Sequence, residues 1–245
     1  MSKVQNDFLG TYVQPHKVAI LVDGAFYRRR AYNLFGDKSA SERADELMTY
    51  CHRHLSNGGS GQPRSQLYRI FYYDCPPLDK CVFNPLTQKS VDLAKSSIFA
   101  WSNEFYEALS NKRLVALRMG ELQEGESSYQ IRPKQLKRLL RGDMAISELQ
   151  EKDLFFNEVQ KGVDMRIGLD IASIAYKRLA DTIVLISGDS DFVPAAKHAR
   201  REGIDFILDP MWQKIRPTLN RHIDGLRSCV SRTPSPETEP LCVKG

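Results

Sequence analysis

Three short runs of apolar residues constrain the fold of this chain more than any other feature. They cover residues 18–22, 183–186 and 206–208, and almost no polar residue interrupts them. A strand with one face in water alternates polar and apolar residues, whereas parallel strands covered by helices on both faces are apolar throughout. Two further strands are expected at 66–74 and 113–122, and helical spacing occurs at 41–55, 91–110 and 162–179. The sequence therefore predicts an α/β fold, a parallel sheet flanked by helices in a single domain.

The remaining segments complete this prediction. We expect a short basic helix at 131–142, a helix that begins at residue 192 and a closing helix at 211–224, while 75–88 is irregular and 153–162 is ambiguous. The Asp-Gly pair after the first strand predicts a turn. An N-terminal arm at 1–16, a Gly/Ser/Pro-rich loop at 56–65 and a disordered tail at 227–245 lack an apolar pattern. The folded domain is therefore placed at 17–226.

The composition excludes several classes of protein. The chain has 245 residues, of which 42% are hydrophobic and 27% charged, and its net charge of +5 is compatible with an anionic partner. No apolar stretch approaches the ~18 residues of a membrane span, and the N-terminus lacks the apolar core of a signal peptide. We therefore expect no membrane partner and a cytoplasmic location. The spacing of Cys51, His52, His54, Cys75 and Cys81 matches no closed zinc site.

Acidic residues end several of the predicted strands. Asp23 follows the first strand, Asp189 and Asp191 follow the strand that begins at residue 181, and Asp74 and Asp209 end two others. Sites in open α/β sheets form beyond the carboxyl ends of the strands, near the point where strand order reverses. We therefore expect Asp23, Asp189 and Asp191 to face one crevice. Each also has an ordinary explanation, since Asp-Gly is a common turn and Asp191 can cap the next helix.

Several carboxylates in one crevice repel each other and favour a bound cation. A hard divalent ion such as Mg²⁺ or Mn²⁺ takes oxygen ligands and leaves positions for water and phosphate oxygens. Such an ion also activates water and stabilises the leaving oxygen when a phosphodiester is cleaved. The strand-end aspartates therefore indicate phosphodiester chemistry that depends on a divalent metal.

The predicted helix at 162–179 contributes two further carboxylates. Asp164 lies near its start, where it either points into the crevice or caps the helix. Asp170 lies about 9 Å farther along the helix axis and about 120° around it, so the two side chains do not share a face. Because apolar residues surround Asp170 in the sequence, we expect it to be half-buried and held by an arginine or a lysine.

The motifs of this chain occur in an order that resembles a known family. VAILVDGAFY, YYDCPP, NPLTQK, VALRMGEL, QKGVDMRIGLD and VLISGDSDF follow one another between residues 17 and 209. This series is similar to the NYN domain, in its LabA-like branch, of the PIN-like nuclease superfamily. KGVD followed by SGDSDF is a more specific match than a lone D-x-D motif.

The resemblance implies a Rossmann-like sheet and a Mg²⁺-dependent ribonuclease site. By position in the motifs, it implies a set of four metal ligands and two supporting residues. The ligands are Asp23, Asp164, Asp189 and Asp191, and the supporting residues are Ser187 and Asp170. Family members often have an asparagine where this chain has Phe26, and this difference leaves the positioning of substrate or water open.

Single-stranded RNA is the expected partner, and basic or aromatic residues near the crevice are the candidates to contact it. They follow the first strand or lie on one face of the basic helix: Tyr27, Arg28, Arg29, Arg30, Lys134, Lys137, Arg138 and Arg141. Charged helix faces are more often simply solvated, and aromatic residues after a strand are more often core. A homo-oligomer is also compatible with the sequence.

The function hypothesis is cleavage of RNA phosphodiesters with a divalent metal ion. One alternative is a glycosyltransferase, because such enzymes also use a D-x-D motif, but this would leave KGVD and Asp23 without a role. The other alternative is a catalytically inactive PIN-like module that binds RNA or a protein, which the presence of Phe26 favours.

Overall fold

The computed structural model describes residues 15–55, 65–122 and 127–229. Residues 56–64 of the predicted loop at 56–65, and most of the predicted arm and tail, lie outside these residues. The strands are β1 (His16–Asp23), β2 (Ser65–Asp74), β3 (Cys81–Asn84), β4 (Lys89–Asp92), β5 (Val115–Met119), β6 (Glu121–Leu122), β7 (Ser128–Ile131), β8 (Leu154–Asn157), β9 (Gln160–Lys161), β10 (Thr182–Ile186), β11 (Asp205–Asp209) and β12 (Gly225–Leu226). The helices are α1 (Gly24–Phe35), α2 (Ala40–His52), α3 (Ser97–Ser110), α4 (Pro133–Arg141), α5 (Val163–Tyr176), α6 (Val193–Arg201) and α7 (Pro217–Asn220).

Six strands form one sheet in the order β12-β11-β10-β1-β2-β5. Every neighbouring pair in this sheet is parallel, so the predicted parallel α/β architecture is confirmed. The chain places β2 and β5 on one side of β1, and later places β10, β11 and β12 on the other side. The strand order therefore reverses between β1 and β10, whose carboxyl ends lie next to each other.

Helices cover both faces of the sheet, which explains why the central strands are apolar throughout. Alternate residues of β1 belong to two different cores. Ile20 packs in the core that includes side chains from α1, α2 and α3, such as Leu47 and Phe105. Leu21 packs in the opposite core, with side chains from α5 and α6 such as Ile171. Both sheet faces are thus buried, as the alternation of strands and helices predicts.

Several local predictions differ from the structure. The predicted turn after β1 is absent, because α1 begins directly at Gly24 and the Asp23 carboxylate caps it by accepting from the Phe26 amide at 3.1 Å. The irregular segment at 75–88 contains a strand of the β3–β4 hairpin, and the ambiguous segment at 153–162 forms β8 and β9. The helix expected from residue 91 begins only at Ser97.

The predicted closing helix at 211–224 is wrong for most of its length. Only Pro217–Asn220 is helical, and the chain then forms the edge strand β12. Residues 210–216, here called the cleft loop, are held by tertiary contacts. Met211 and Trp212 adopt positive φ angles of 46° and 62°. The Met211 amide donates to Asp209 at 2.7 Å, and its carbonyl accepts from the Arg30 guanidinium. Contacts with such distant residues do not appear as a local pattern in the sequence, so the sequence alone does not show that a loop forms here.

The described residues include no helix long and apolar enough to cross a membrane.

Candidate metal-dependent active site

A cleft opens at the point where the strand order reverses. It has a volume of about 350 Å³ and is lined by Asp23 at the end of β1 and by residues 187–190, which follow β10. The other lining residues come from α1 and from the cleft loop: Ala25, Phe26, Arg29, Gln213, Lys214 and Arg216. This is the position in which open α/β sheets bind their ligands.

Asp23 is fixed in the cleft by both of its carboxylate oxygens. Oδ1 caps α1, and Oδ2 accepts from the Ser187 hydroxyl at 3.0 Å. The Ser187 oxygen in turn accepts from the Asp189 amide at 3.3 Å, so Ser187 links the ends of β1 and β10. Burial raises the pKa of Asp23, and the nearby carboxylates of Asp164 and Asp74 raise it further against the lowering effect of the two hydrogen bonds.

Asp164 is close enough to the cleft for its electrostatics to be coupled to the other aspartates. It lies in the first turn of α5 and does not cap this helix, whose N-cap is Gly162 at φ 81°. Partial burial raises the pKa of Asp164, and the charges of Asp189 and Asp191 raise it further. Asp191 does not cap α6 either, because the N-cap of this helix is Phe192 and no side chain caps it. The Asp191 amide itself donates to the Asp189 carboxylate at 3.0 Å.

Asp23 and Asp189 line the cleft, whereas the other two aspartates are not among its lining residues. The charge of Asp164 acts on Asp23, and the charges of Asp189 and Asp191 act on Asp164. Among the described residues, only His54, Asp209 and Cys229 form a group of three potential metal ligands whose atoms all lie within 4.8 Å of one another. No three of the four aspartates therefore have carboxylate oxygens that all lie within 4.8 Å of one another. The earlier set of Cys51, His52, His54, Cys75 and Cys81 is not assembled, since Cys81 is exposed on β3 and His54 contacts other partners.

Two other strand-end aspartates have protein partners that neutralise or satisfy them. Asp74 is buried, and its carboxylate accepts from Arg28 at 3.0 Å and from the Tyr72 hydroxyl at 3.1 Å. Asp209 is buried and accepts from the Tyr50 hydroxyl, besides its contact with His54. By contrast, within the described ranges the carboxylates of the four cleft aspartates have no Lys, Arg or His nitrogen within 4.0 Å.

The residues after β1 divide between the core and the cleft. The prediction that Tyr27 stacks on a base is wrong, because Tyr27 is 0% exposed and its hydroxyl donates to Glu46 at 3.0 Å. Arg28 is engaged with Asp74, and Arg30 donates to the Met211 carbonyl. Arg29 is exposed and lines the cleft. Of these four candidates, Arg29 alone has the geometry to contact a cleft ligand.

Phe26 contributes an apolar wall where the family often has asparagine. It is 4% exposed, and its ring lies so close to Gly188 that a Cβ atom there would be 2.9 Å from Phe26 Cε2. The same Cβ would be 3.0 Å from the side-chain nitrogen of Gln213. The cleft therefore has a side-chain amide nearby, but it comes from the cleft loop and not from α1.

Asp170 supports the sheet and does not line the cleft. Its Oδ2 accepts from the Tyr73 hydroxyl at 2.8 Å and from Arg118 Nε at 3.1 Å. The expectation that a basic residue holds Asp170 is thus confirmed. The basic residues Lys134, Lys137, Arg138 and Arg141 are all exposed on α4, which buries none of its own residues.

Sequence reasoning missed the residues of the cleft loop. Gln213, Lys214 and Arg216 line the cleft, and Arg216 also donates to the Ser190 hydroxyl at 3.3 Å. A helix was predicted there although Pro217 lies within it. Because the residue before a proline is disfavoured in helical conformation, Pro217 was the feature that argued for a loop before it.

Comparison with known proteins finds a family model that matches part of the chain. The model of the NYN domain matches residues 106–215. This part of the chain, less than half of its length, is therefore similar to the NYN domain. No curated protein gives a significant match. Among solved structures, a protein of unknown function from Vibrio parahaemolyticus is similar at a TM-score of 0.44 and 14% identity, with 86% of this chain and 91% of that chain covered.

The stretch that matches the NYN domain model includes most of the candidate site. It contains Asp164, Ser187, Asp189 and Asp191 together with the cleft loop, whereas Asp23 and α1 precede it. The parallel sheet joins the two parts, since β1 pairs directly with β10. The single α/β domain is consistent with a PIN-like fold.

Proposed function

We propose that this NYN domain is a ribonuclease that hydrolyses RNA phosphodiester bonds with Mg²⁺ or Mn²⁺ held by Asp23, Asp164, Asp189 and Asp191. The proposal is supported by a difference between the partners of the aspartates that follow the strands. Asp74 and Asp209 are satisfied by protein donors, whereas the four aspartates around the cleft lack a cationic partner among the described residues. Besides burial, the charge of Asp164 raises the pKa of Asp23, and the charges of Asp189 and Asp191 raise that of Asp164. Carboxylates that repel each other in this way favour a bound cation.

The donor atoms suit a hard divalent ion. They are carboxylate oxygens together with the Ser187 hydroxyl, and the described residues that line the cleft include no cysteine, methionine or histidine. Ser187 fixes the carboxylate of Asp23 by its hydrogen bond, and the Asp191 amide fixes that of Asp189. When bound, a divalent ion activates water and stabilises negative charge on phosphate.

The basic residues of the cleft suit a phosphate diester. Arg29, Lys214 and Arg216 line the same cleft as Asp23 and Asp189 and provide positive charge for phosphate oxygens. The exposed basic face of α4 offers a second contact for an RNA backbone. Exchange of Lys137 and Arg138 for serine should weaken RNA binding and reduce its salt dependence without changing the cleavage rate of bound RNA.

The test is cleavage of a labelled single-stranded RNA by the full chain in Mn²⁺ or Mg²⁺. Asp189→Asn should reduce the rate about 100-fold or more, as the loss of one preorganised electrostatic contact does in other active sites. Asp205→Asn is the matched control, because Asp205 is exposed at the start of β11, at the opposite end of the sheet. Equal cleavage by wild type and Asp189→Asn would disprove the proposed site.

A second candidate function is an RNA- or protein-binding module that does not cut. It is supported by Phe26, which presents carbon to the cleft, and by the wide spacing of the aspartates. RNA binding that persists in EDTA, with no cleavage of a broad panel of RNAs by wild type, would favour this candidate. We also propose membership of the LabA-like branch, from the motifs, and a cytoplasmic location.

A further inference from the structure

A second pocket lies beside the cleft, between α1 and α3. Its volume of about 580 Å³ is within the range of about 300–1,000 Å³ that is typical of ligand sites. Arg28 and Tyr32 line it from α1, and Ile98 and Trp101 line it from α3. Ala25 lines both this α1–α3 pocket and the cleft, so the first turn of α1 is a wall that the two share.

Aromatic and apolar side chains line the α1–α3 pocket although they are open to solvent. Tyr32 is 61% exposed, and Ile98 is 73% exposed. Trp101 has a fixed orientation, because its ring stacks on the buried Phe105 at 5.0 Å between centroids and its Nε1 donates to the Lys38 carbonyl at 3.0 Å. Aromatic walls of this kind suit a ligand that is itself a flat ring, because aromatic rings attract each other when stacked or placed edge to face.

The cations that line the α1–α3 pocket are already paired with carboxylates of the protein. The Arg28 guanidinium is 3.0 Å from the Asp74 carboxylate. Arg43 and Lys38 both pair with Glu46, at 2.6 and 2.7 Å. A phosphate would compete with these carboxylates for the same cations, whereas an uncharged ring leaves the ion pairs in place. The pocket therefore favours an uncharged ligand, to which Arg28 offers the carbon chain of its side chain and no free charge.

We propose that the α1–α3 pocket binds one nucleobase of the RNA strand whose phosphate lies in the cleft. This inference rests on the proposed function, which places an RNA phosphate beside Asp23 and Asp189. Such a strand carries a base on each side of that phosphate, and the wall that the cleft and the pocket share at Ala25 puts the pocket next to one of them. Bases of single-stranded RNA are unstacked and free to enter a pocket of this kind.

The proposed base packs between the two helices that form the pocket. Tyr32 and Trp101 supply aromatic surface for stacking. The hydroxyls of Ser97 and Ser102 and the carboxylate of Asp37 line the same pocket and offer polar atoms to the edge of the base. Because every base has a flat face, stacking accepts any of them, and only these polar atoms can discriminate between bases.

The test measures binding of a short, labelled single-stranded RNA to the full chain in EDTA, where no metal-dependent cleavage takes place. Tyr32→Ser should weaken binding about tenfold, because it removes one contact between a base and an aromatic ring. Tyr176→Ser is the matched control and should bind as wild type does, since Tyr176 is 76% exposed on α5, which packs on the opposite face of the sheet. Both tyrosines are exposed, so both variants should keep the urea midpoint of wild type.

Removal of single bases from the RNA identifies the partner of Tyr32. An abasic nucleotide at one position should weaken binding to wild type about tenfold, and Tyr32→Ser should add no further loss there, because both changes remove the same contact. The loss caused by Tyr32→Ser should not depend on salt concentration, whereas that caused by Arg29→Met should shrink as salt concentration rises, since only the latter removes a phosphate contact. Losses from Tyr32→Ser and from the abasic nucleotide that multiply at every position would overturn the proposal.

The pocket and the proposed nuclease function fail in distinguishable ways. Cleavage in Mn²⁺ with Tyr32→Ser equal to wild type in both Kd and KM would refute the pocket and leave the ribonuclease in place. Weaker RNA binding by Tyr32→Ser, without cleavage by wild type, would support the pocket and favour a module that binds RNA without cutting it. If wild type binds no single-stranded RNA, or binds a free nucleoside monophosphate more tightly than the RNA, the proposal is wrong.

Discussion

The ion pair between Arg28 and Asp74 provides the sharpest test of how this structure distributes its charges. Asp74 is buried at the end of β2, and the side chain of Arg28 is 27% exposed on α1, one residue before the cleft-lining Arg29. The sequence placed both arginines among the RNA contacts. The structure gives Arg28 a protein partner at 3.0 Å and leaves Arg29 for a ligand. Replacing each arginine by methionine separates the two roles.

The expected magnitude follows from what remains around the buried carboxylate. Without Arg28, Asp74 keeps the Cys75 amide at 2.9 Å and the Tyr72 hydroxyl, but no cation. Removing one partner of a buried pair costs about 3–5 kcal/mol, and the partial exposure of Arg28 favours the low end, about 3 kcal/mol. Burial already raises the pKa of Asp74 and the guanidinium opposes this, so Arg28→Met should raise that pKa further.

Urea unfolding at neutral pH measures the effect. For an m-value of about 3 kcal/mol/M, a loss of about 3 kcal/mol moves the midpoint by about 1 M. Asp74→Asn keeps the shape of the side chain and should cost less, about 1 kcal/mol. Because both variants remove the same interaction, the double variant should be more stable than the sum of the single losses predicts, by about 1–2 kcal/mol.

Measurement of RNA binding by the same variants can refute this assignment of the two arginines. Arg29→Met should weaken binding and leave the urea midpoint within about 0.5 kcal/mol of wild type, as for an exposed substitution. Arg28→Met should bind RNA as wild type does under conditions where it is folded. If instead Arg28→Met keeps the wild-type midpoint and loses RNA affinity, then Arg28 is a phosphate contact and the ion pair is not a structural element.

Three further predictions concern positions next to the cleft. Gly24→Ala should cost about 3 kcal/mol in urea unfolding, the upper end for overpacking, because its Cβ would lie 2.6 Å from a backbone oxygen of β2; a wild-type midpoint would contradict this. Tyr27→Phe should cost about 1 kcal/mol through its lost hydrogen bond and leave RNA binding unchanged, whereas weakened binding would restore its predicted stacking role. Asp23 and Asp164 have raised pKa values, so the native state holds protons that the unfolded state has lost. In EDTA, stability relative to Asp23→Asn should therefore fall as pH rises from about 4 through these pKa values, and Mn²⁺ should abolish the fall; a difference independent of pH would refute it.

The part of the fold that sequence predicted well is the part fixed by burial. Strands covered on both faces must be apolar, so the uninterrupted apolar runs in the sequence are enough to predict β1, β10 and β11. Their order in the sheet then places Asp23 and Asp189 at neighbouring strand ends. The helical spacing of the residues after Gly24 also separates the side chains of α1 that face the core from those that face the cleft. Tyr27 and Ala31 share the buried face of α1, whereas Ala25 and Arg29 share the cleft face.

The part that sequence did not predict is held by single tertiary contacts. The cleft loop adopts positive φ angles because Arg30, Asp209 and Ser228 bind its backbone from three distant places in the chain. No local pattern of hydrophobic residues encodes such contacts. The same holds for the group of His54, Asp209 and Cys229. Asp209 is more than 150 positions from His54 in the sequence, and Cys229 is more than 170 positions from it.

Strand-end aspartates show why sequence indicates a site but does not delimit it. Asp23, Asp74 and Asp209 all follow apolar runs, and the sequence offers no reason to treat them differently. What separates them is the element that crosses each strand end. α1 delivers Arg28 to Asp74, and α2 delivers Tyr50 and His54 to Asp209, so both carboxylates are completed by the protein. At the reversal between β1 and β10, the described residues bring Asp23 a hydroxyl but no cation. A charge that the fold leaves uncompensated at this position is a charge available to a ligand.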